Sequence, residues 1–357
     1  MKQFFLFLLT CLCGNVFATV RTVNNNPNSL AQYNTIQAAV DAAVNGDTIY
    51  IHGSNISYGS VTVSNKRLIF IGPGWSPLRN IDPLTALISQ MTFQSAGCDN
   101  SEIQGLVFTA IVTLGFNHPN NIRFYRNQFI NTQVAFSYGT TDYSGFVFQD
   151  NWFDKSQIIG NQNNTYTNCI FQNNIFYHNI ATTANIYGLT NSNGVLFDHN
   201  LFYGPSSGAG VVFAGDCRSL LITNNIFVRR NAAANCTSST FNNNITYNAG
   251  VDTPWIATHG NIGTNNIANQ NPQMVGQATV NIGTDDPLLD FTIAAGPANN
   301  SGTDSKDMGL MYDPTGILNW SNSRMSRIPF IYNMVISNST VSPGGTLSVQ
   351  VEARKNN

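Results

Sequence analysis

Between Phe124 and Thr246 the hydrophobic and polar positions of this chain follow one phrase written six times. An apolar residue is followed by two polar positions, an asparagine, any residue and a second apolar one. The copies are Phe124-Tyr125-Arg126-Asn127-Gln128-Phe129, Phe148-Gln149-Asp150-Asn151-Trp152-Phe153, Phe171-Gln172-Asn173-Asn174-Ile175-Phe176, Phe197-Asp198-His199-Asn200-Leu201-Phe202, Ile222-Thr223-Asn224-Asn225-Ile226-Phe227 and Phe241-Asn242-Asn243-Asn244-Ile245-Thr246. The asparagine returns about every two dozen residues, a period that belongs to stacked units rather than to one compact core. The apolar positions form two columns, Phe124 to Phe241 and Phe129 to Thr246. Strand alternation and the need to bury aromatic rings predict that both face inward, stacked about 4.8 Å apart. The asparagine between them is expected at a bend, its amide donating to the asparagine of the next turn and accepting from the previous one.

Upstream, Asn34-Thr35-Ile36-Gln37 reads as a capping box opening a short helix, with Ile36, Ala39, Val40 and Ala43 on one face and Asn45-Gly46 ending it. Thr48–Ile51, Val61–Val63, Leu68–Gly72 and Met91–Phe93 read as short strands separated by turns. Ile103-Gln104-Gly105-Leu106-Val107-Phe108 continues the repeat backwards, with glycine in the asparagine position. From Pro314 the pattern changes to strand-like pieces, Arg327–Tyr332 and Leu347–Val351, around Ser342-Pro343-Gly344-Gly345. The expected organisation is therefore residues 1–18 as a leader, 19–312 as a solenoid with an N-terminal cap, and 313–357 as a tail packed on it. Four positions before each asparagine stand Val147, Ile170, Leu196 and Leu221, an apolar column that alternation places outside. An exposed stripe of that length asks for a cover, which the tail or a loop is expected to supply, or for a partner or glycan platform.

Composition sharpens this picture. Charged residues are only 10% of the 357, the net charge is −2, and 50 asparagines supply the polarity instead. That balance excludes an electrostatic case for nucleic acid or an anionic membrane as partner. Asparagine favours turns and the left-handed region, and 23 Phe with 13 Tyr favour strands. Residues 1–18 have Lys2, the apolar run Phe4–Leu9 and Val16-Phe17-Ala18, the pattern of a secretory signal cleaved near Ala18; the run is too short for a transmembrane segment. Export, to the exterior or a periplasm, is the expectation. Cys11 and Cys13 lack the small preceding residue of a lipidation site. Of the four remaining cysteines, Cys98, Cys169, Cys217 and Cys236, Cys169 falls on an apolar position as a buried thiol would, and Cys217 and Cys236 lie one repeat apart, where they could face each other. No cysteine pair has zinc spacing.

The repeat resembles the right-handed parallel β-helix of the pectate lyase superfamily, a single-stranded solenoid of about ten rungs. Thr35-Ile36-Gln37-Ala38-Ala39-Val40-Asp41-Ala42-Ala43 with Asn45-Gly46-Asp47-Thr48-Ile49 is similar to the opening segment of such proteins, where an amphipathic helix caps the apolar end. Pro297–Asp304 with Asp307-Met308-Gly309 looks like their closing segment. The resemblance covers roughly residues 30 to 312 and implies the fold more sharply than an activity. It implies polysaccharide as partner, cut by β-elimination or by hydrolysis. Elimination needs a base, often arginine or lysine, and a cation such as calcium to neutralise the uronate; hydrolysis needs paired carboxylates.

The repeat region holds few acids, Asp142, Asp150, Asp154, Asp198 and Asp216, and Asp150 and Asp198 fall in different columns. The aspartate-rich and Gly-His-Gly motifs of the superfamily's polygalacturonase-like hydrolases are missing, Thr258-His259-Gly260 being a partial echo. No carboxylate cluster supports calcium, and no other cofactor is evident. Four positions after the asparagine come Lys155, His178 and Arg229, a sparse basic column with Tyr177 and Tyr203 beside it. Lys155, Arg229 and His178 are the catalytic candidates for a lyase, and Tyr177, Tyr203, Asp198 and His199 the substrate-binding ones; Asp198-His199 resembles the Asp-His pair of some pectate lyases. The plainer account is that long basic side chains solvate a turn, that His199 is surface polar, and that Arg229-Arg230 and Asp216-Cys217-Arg218 are turn residues or local ion pairs. Polysaccharide binding along the outer face, with lyase chemistry as an addition, thus stands beside a non-catalytic surface or adhesion protein.

Overall fold

The computed structural model describes residues 18–76, 84–117, 119–137, 142–205, 210–232, 234–256, 259–286, 289–311, 330–336 and 344–354. The leader expected up to Ala18 lies almost wholly outside these residues, as does much of the expected tail.

The chain winds as a parallel β-helix of about nine turns, an all-β solenoid with, among the described residues, two short α-helices and a small antiparallel C-terminal sheet. Three long sheets of eleven, eight and seven strands run its length. One turn illustrates the course. Val147–Gln149 belongs to the first sheet, Trp152–Asp154 to the second and Gln157–Ile159 to the third, and Ile170–Gln172 rejoins the first in register with Val147–Gln149. Parallel pairing places each repeat's residue on its counterpart, Phe148 on Phe171 and Phe153 on Phe176.

Identical residues then stack. Phe124, Phe148, Phe171 and Phe197 form one column with ring centroids 4.8, 5.0 and 4.5 Å apart, and Phe129, Phe153, Phe176, Phe202 and Phe227 a second with 4.8, 4.5, 4.7 and 5.0 Å. All are fully buried, each contributing about 2–3 kcal/mol of burial. The asparagines between them form the expected ladder: Asn151 Nδ2 donates to Asn174 Oδ1 (3.0 Å) and to Phe124 O (2.9 Å), and Asn151 Oδ1 accepts from Asn127 Nδ2 and from the Asn127 N–H. The same bonds continue through Asn200, Asn225 and Asn244 to Asn266.

Two local expectations need correction. The residue before each ladder asparagine takes the left-handed conformation, at Arg126, Asp150, Asn173, His199, Asn224 and Asn243. Gly105 (φ +69°) belongs to that column, because Ile103 pairs with Phe124 and Val107 with Gln128, so Leu106 occupies the asparagine position. At the N-terminus helix α1, Ile36–Ala42, is capped by Thr35, whose side chain accepts from the Ala38 N–H, rather than by Asn34. Gln37 turns instead to Asp41 and to the backbone of Thr62. Its Ile36, Ala39 and Val40 face the core, as the spacing required.

The outer surface is not uniform. Val147, Ile170 and Leu196 on the first sheet are half-buried, and Leu221 is 42% exposed. The second sheet is buried on both faces: outward Trp152, Ile175, Leu201, Ile226, Tyr177, Tyr203 and Val228 pack with Met274, Val280, Phe291, Met308 and Leu310. These belong to a strap, residues 274–286 and 289–311 including helix α2 (Gln277–Asn281), that folds back across the sheet. Along the strap's far side the left-handed column clasps it: Asn243 donates to Ser301 O, Asn224 to Thr303 Oγ1, the His199 ring meets Gly309 O at 3.0 Å, and Asn173 Oδ1 accepts the Met311 N–H. The segment read as closing the solenoid thus packs back onto it. The C-terminal hairpin pairs Phe330–Ile336 with Val349–Arg354, and its described residues 335–336 and 344–353 are exposed.

Candidate functional site

A groove of about 410 Å³ opens where strands of the second sheet turn into the third. Its lining includes Asn131, Gln133, Lys155, Gln157, His178 and Thr183. Repetition explains the assembly. Asn131 and Lys155 hold the same left-handed position on successive turns, φ 47° and 52°, and Gln133 and Gln157 are register partners opening the next strands. Asparagine tolerates that conformation readily; a lysine there carries a backbone cost of about 1 kcal/mol. One turn further the connection from His178 to Ile186 is longer and stands up as a wall bearing Ile180 and Thr183. Gln157 Nε2 ties floor to wall through Ala184 O (2.7 Å).

Arg230 braces the wall from behind. It is completely buried, with Nη1 donating to Ile180 O (3.2 Å) and Nη2 to Thr183 O (2.7 Å), Asn185 Oδ1 and Val211 O. Burial without a carboxylate partner lowers its pKa to about 10, still charged at neutral pH.

Lys155 is the ion at the groove's edge, and it is already paired. Its ammonium contacts Asp154 Oδ1 at 2.9 Å and Asp285 Oδ2 of the strap, and it lies 5.5 Å from the Tyr177 ring centroid. Burial alone would lower its pKa, but the hydrogen bonds it donates to Asp285 and Asp154 outweigh it and hold the ammonium well above the ordinary lysine value. Asp285 moves the other way: desolvation pushes its carboxyl up to about 6 against the pull of Lys155. His178 lies next to Lys155 in the column, buried, with its pKa lowered to about 4 by desolvation and by the charges of Arg230 and Lys155. The ring is therefore neutral near pH 7. Because Nδ1 accepts the Ile180 N–H (3.0 Å), its proton sits on Nε2.

The structure brings Lys155 and His178 to one groove and leaves the other candidates elsewhere. Arg229 anchors the strap, bonding Pro205 O (3.1 Å) and Asn281 O. Tyr177 and Tyr203 lie buried beneath the strap, their hydroxyls donating to Gly283 O (3.0 Å) and Thr284 O (3.1 Å). Asp198 accepts from Gln172, Thr223 and Asn224, and His199 is buried against Gly309 with its Nε2 3.6 Å from Asp304. Asp216 and Arg218 form the local ion pair allowed for them, at 2.7 Å.

Sequence reading missed Asp285, the glutamine pair and the role of Arg230. Gln133 and Gln157 both stand six positions after a ladder asparagine and could have been found by extending the columns. Asp285 arrives from outside the repeat, where no column points to it.

The donor set does not suit calcium. The carboxylates of Asp154 and Asp285, which stand behind the lining residues, converge on the Lys155 ammonium, which takes the place a divalent ion would need, and calcium calls for six to eight oxygen ligands. Among the described residues no group of three His, Cys, Asp or Glu could hold a metal ion, and no helix is long and apolar enough to cross a membrane. Cys217 and Cys236 are register partners, and both are free. Parallel neighbours stand about 4.8 Å apart, wider than the Cβ separation of about 3.8 Å that a disulfide prefers. Desolvation pushes both thiols up to about 12.

No family model matches the chain, and no curated protein matches it. Among solved structures it is similar to the crystal structure of pectate lyase Pel9A, at 13% identity and a TM-score of 0.38, over 83% of this chain and 96% of that one.

Proposed function

We propose that this β-helix is an exported polysaccharide-binding protein whose contact site is the groove beside Lys155. The observation that carries the reading is the groove's lining: an open cleft of about 410 Å³ along the solenoid wall, floored by Gln133 and Gln157 and edged by Asn131, Thr132 and Thr183. Side-chain amides and hydroxyls in a row offer both donors and acceptors to sugar hydroxyls, and the rungs repeat them at a fixed spacing.

Cleavage by β-elimination is the second reading, favoured by Lys155 and His178 sharing the groove. A base for that step must first be free of its proton. Lys155 is held protonated by two carboxylates, and the nitrogen of His178 that is not already bonded carries the ring's proton. Binding without turnover is therefore the better fit to these groups. Native gels containing soluble polysaccharides test binding, and ultraviolet absorbance of the unsaturated product tests elimination. Retardation that Gln157→Ala abolishes, with no absorbance rise, is the expected result; no retardation by any polymer sinks the proposal. N-terminal sequencing of protein recovered outside the cell checks export, with Thr19 as the expected first residue.

A further inference from the structure

We infer that the groove selects uncharged polysaccharides and rejects polyuronates, and that Asp285 of the strap sets this selectivity. The inference rests on the polysaccharide reading above and adds the class of polymer.

Its basis is the charge account of the groove. Lys155 supplies one positive charge, and Asp154 and Asp285, both within contact of the same ammonium, supply two negative ones. The side chain of Asp154 is 9% exposed and that of Asp285 21%, so these pairs are partly withdrawn from solvent and less screened by salt than surface ones. The nearby cation Arg230 is 0% exposed and spends both Nη groups on oxygens of the wall and its neighbours. His178 faces the groove as a neutral ring. A uronate carboxylate entering here finds no cation among the described lining residues that lacks a carboxylate already, and it approaches two like charges. Its desolvation goes uncompensated. A neutral sugar gives up only hydroxyl hydration and regains it from Asn131, Gln133, Gln157 and Thr183.

Asp285 is the decisive residue because it reaches the Lys155 ammonium at the groove's edge from the strap. Without its charge, Lys155 would keep a single carboxylate neighbour, with ammonium N–H groups open to a ligand anion.

The test is affinity electrophoresis of the full chain, as wild type, Asp285→Asn and Asp154→Asn, in gels containing neutral polymers (arabinoxylan, glucomannan, β-glucan, galactan) or polygalacturonate, at low and moderate salt. Wild type should be retarded by at least one neutral polymer and bind polygalacturonate at least tenfold more weakly. Asp285→Asn should gain polygalacturonate retention severalfold, in a salt-sensitive manner, and Asp154→Asn should do likewise, which keeps the test valid if one variant folds poorly. Wild type held by polygalacturonate as strongly as by any neutral polymer overturns the selectivity while leaving the polysaccharide reading intact. Neutral retention with no gain in either variant overturns the role of the carboxylates. Retention by no polymer of either class removes both the inference and the reading on which it rests.

Discussion

The second sheet and the first both carry aliphatic columns on their outer faces, yet only the second is sealed. Ile175, Leu201 and Ile226 are buried in one cluster with the strap, while Val147, Ile170 and Leu196 remain half-buried and Leu221 exposed. The neighbours within each strand account for the difference. On the second sheet both outward positions are mostly large, since Tyr177, Tyr203 and Val228 stand two residues beyond Ile175, Leu201 and Ile226. On the first sheet the outward partners are Gln149, Gln172, Asp198 and Thr223, of which Gln172 and Thr223 both donate to Asp198 and Gln149 donates to Asp150. One face is broad and apolar enough to fold a strap against; the other is a narrow aliphatic stripe beside a polar ladder, and a parallel sheet can leave such a stripe open without a large penalty.

The largest effect expected from this contrast comes from one residue type on the two faces of the same turn. Leu201→Ala, beneath the strap at 0% exposure, should cost about 3 kcal/mol through lost burial and the cavity left behind. Leu196→Ala, half-buried, should cost only about 1 kcal/mol. Urea midpoints of the two variants measure the gap, and equal losses would mean that the two faces are equally sealed.

Next in size are the polar seams. Tyr203→Phe removes the hydroxyl that donates to Thr284 O and leaves a carbonyl beneath the strap without that donor, at a cost of about 1–2 kcal/mol. Because the bond joins strap to sheet, proteolysis within residues 274–311 should quicken more than the global loss of stability alone accounts for. Unchanged cleavage there would show that apolar packing alone holds the strap.

The interior and these two faces were not equally legible. The Phe columns and the amide ladder could be read because each repeat states them again, and parallel register converts a column in sequence into a stack in space. The outward column of the second sheet was equally present, as Trp152, Ile175, Leu201, Ile226 and Ile245, but it occupies the position read as any residue. Adjacent apolar residues within a short strand are the signal of a sheet buried on both sides, and that signal goes unseen when only the inward set is followed. The strap itself has no period. Its polar attachments are scattered, among them those to Asn173, His199, Asn224 and Asn243, so its course has no signature in its own residues. For the same reason Lys155 and His178 could be placed side by side from sequence, whereas the carboxylate that decides the charge of their groove could not.

A smaller and pH-dependent effect separates strap from sheet. Desolvation raises the Asp285 pKa from 3.8 to about 6 in the folded chain, so the native state holds this proton more tightly than the unfolded one. The destabilising contribution is absent below about pH 4, grows as pH rises and is complete above about 6, worth under about 1 kcal/mol once solvent screening is allowed for. Asp285→Asn should flatten that part of the stability profile relative to wild type. A wild-type contribution that instead strengthens through the same window would show that the Lys155 attraction exceeds the desolvation of the carboxylate.

The smallest change is expected on the open stripe. Leu221 is 42% exposed in the strand Leu221–Thr223, where a β-branched polar residue suits the pleat as well as leucine does. Leu221→Thr should therefore alter the urea midpoint by no more than about 0.5 kcal/mol equivalent, the range of an ordinary surface substitution. A near-zero result acquires meaning only beside Leu201→Ala, because together they show that the solenoid tolerates loss of apolar area wherever the strap is absent. If Leu221→Thr instead costs more than about 1 kcal/mol, water does not reach the stripe in solution. The open face would then be a second sealed one, and the asymmetry between the sheets would lie in what covers each rather than in whether it is covered.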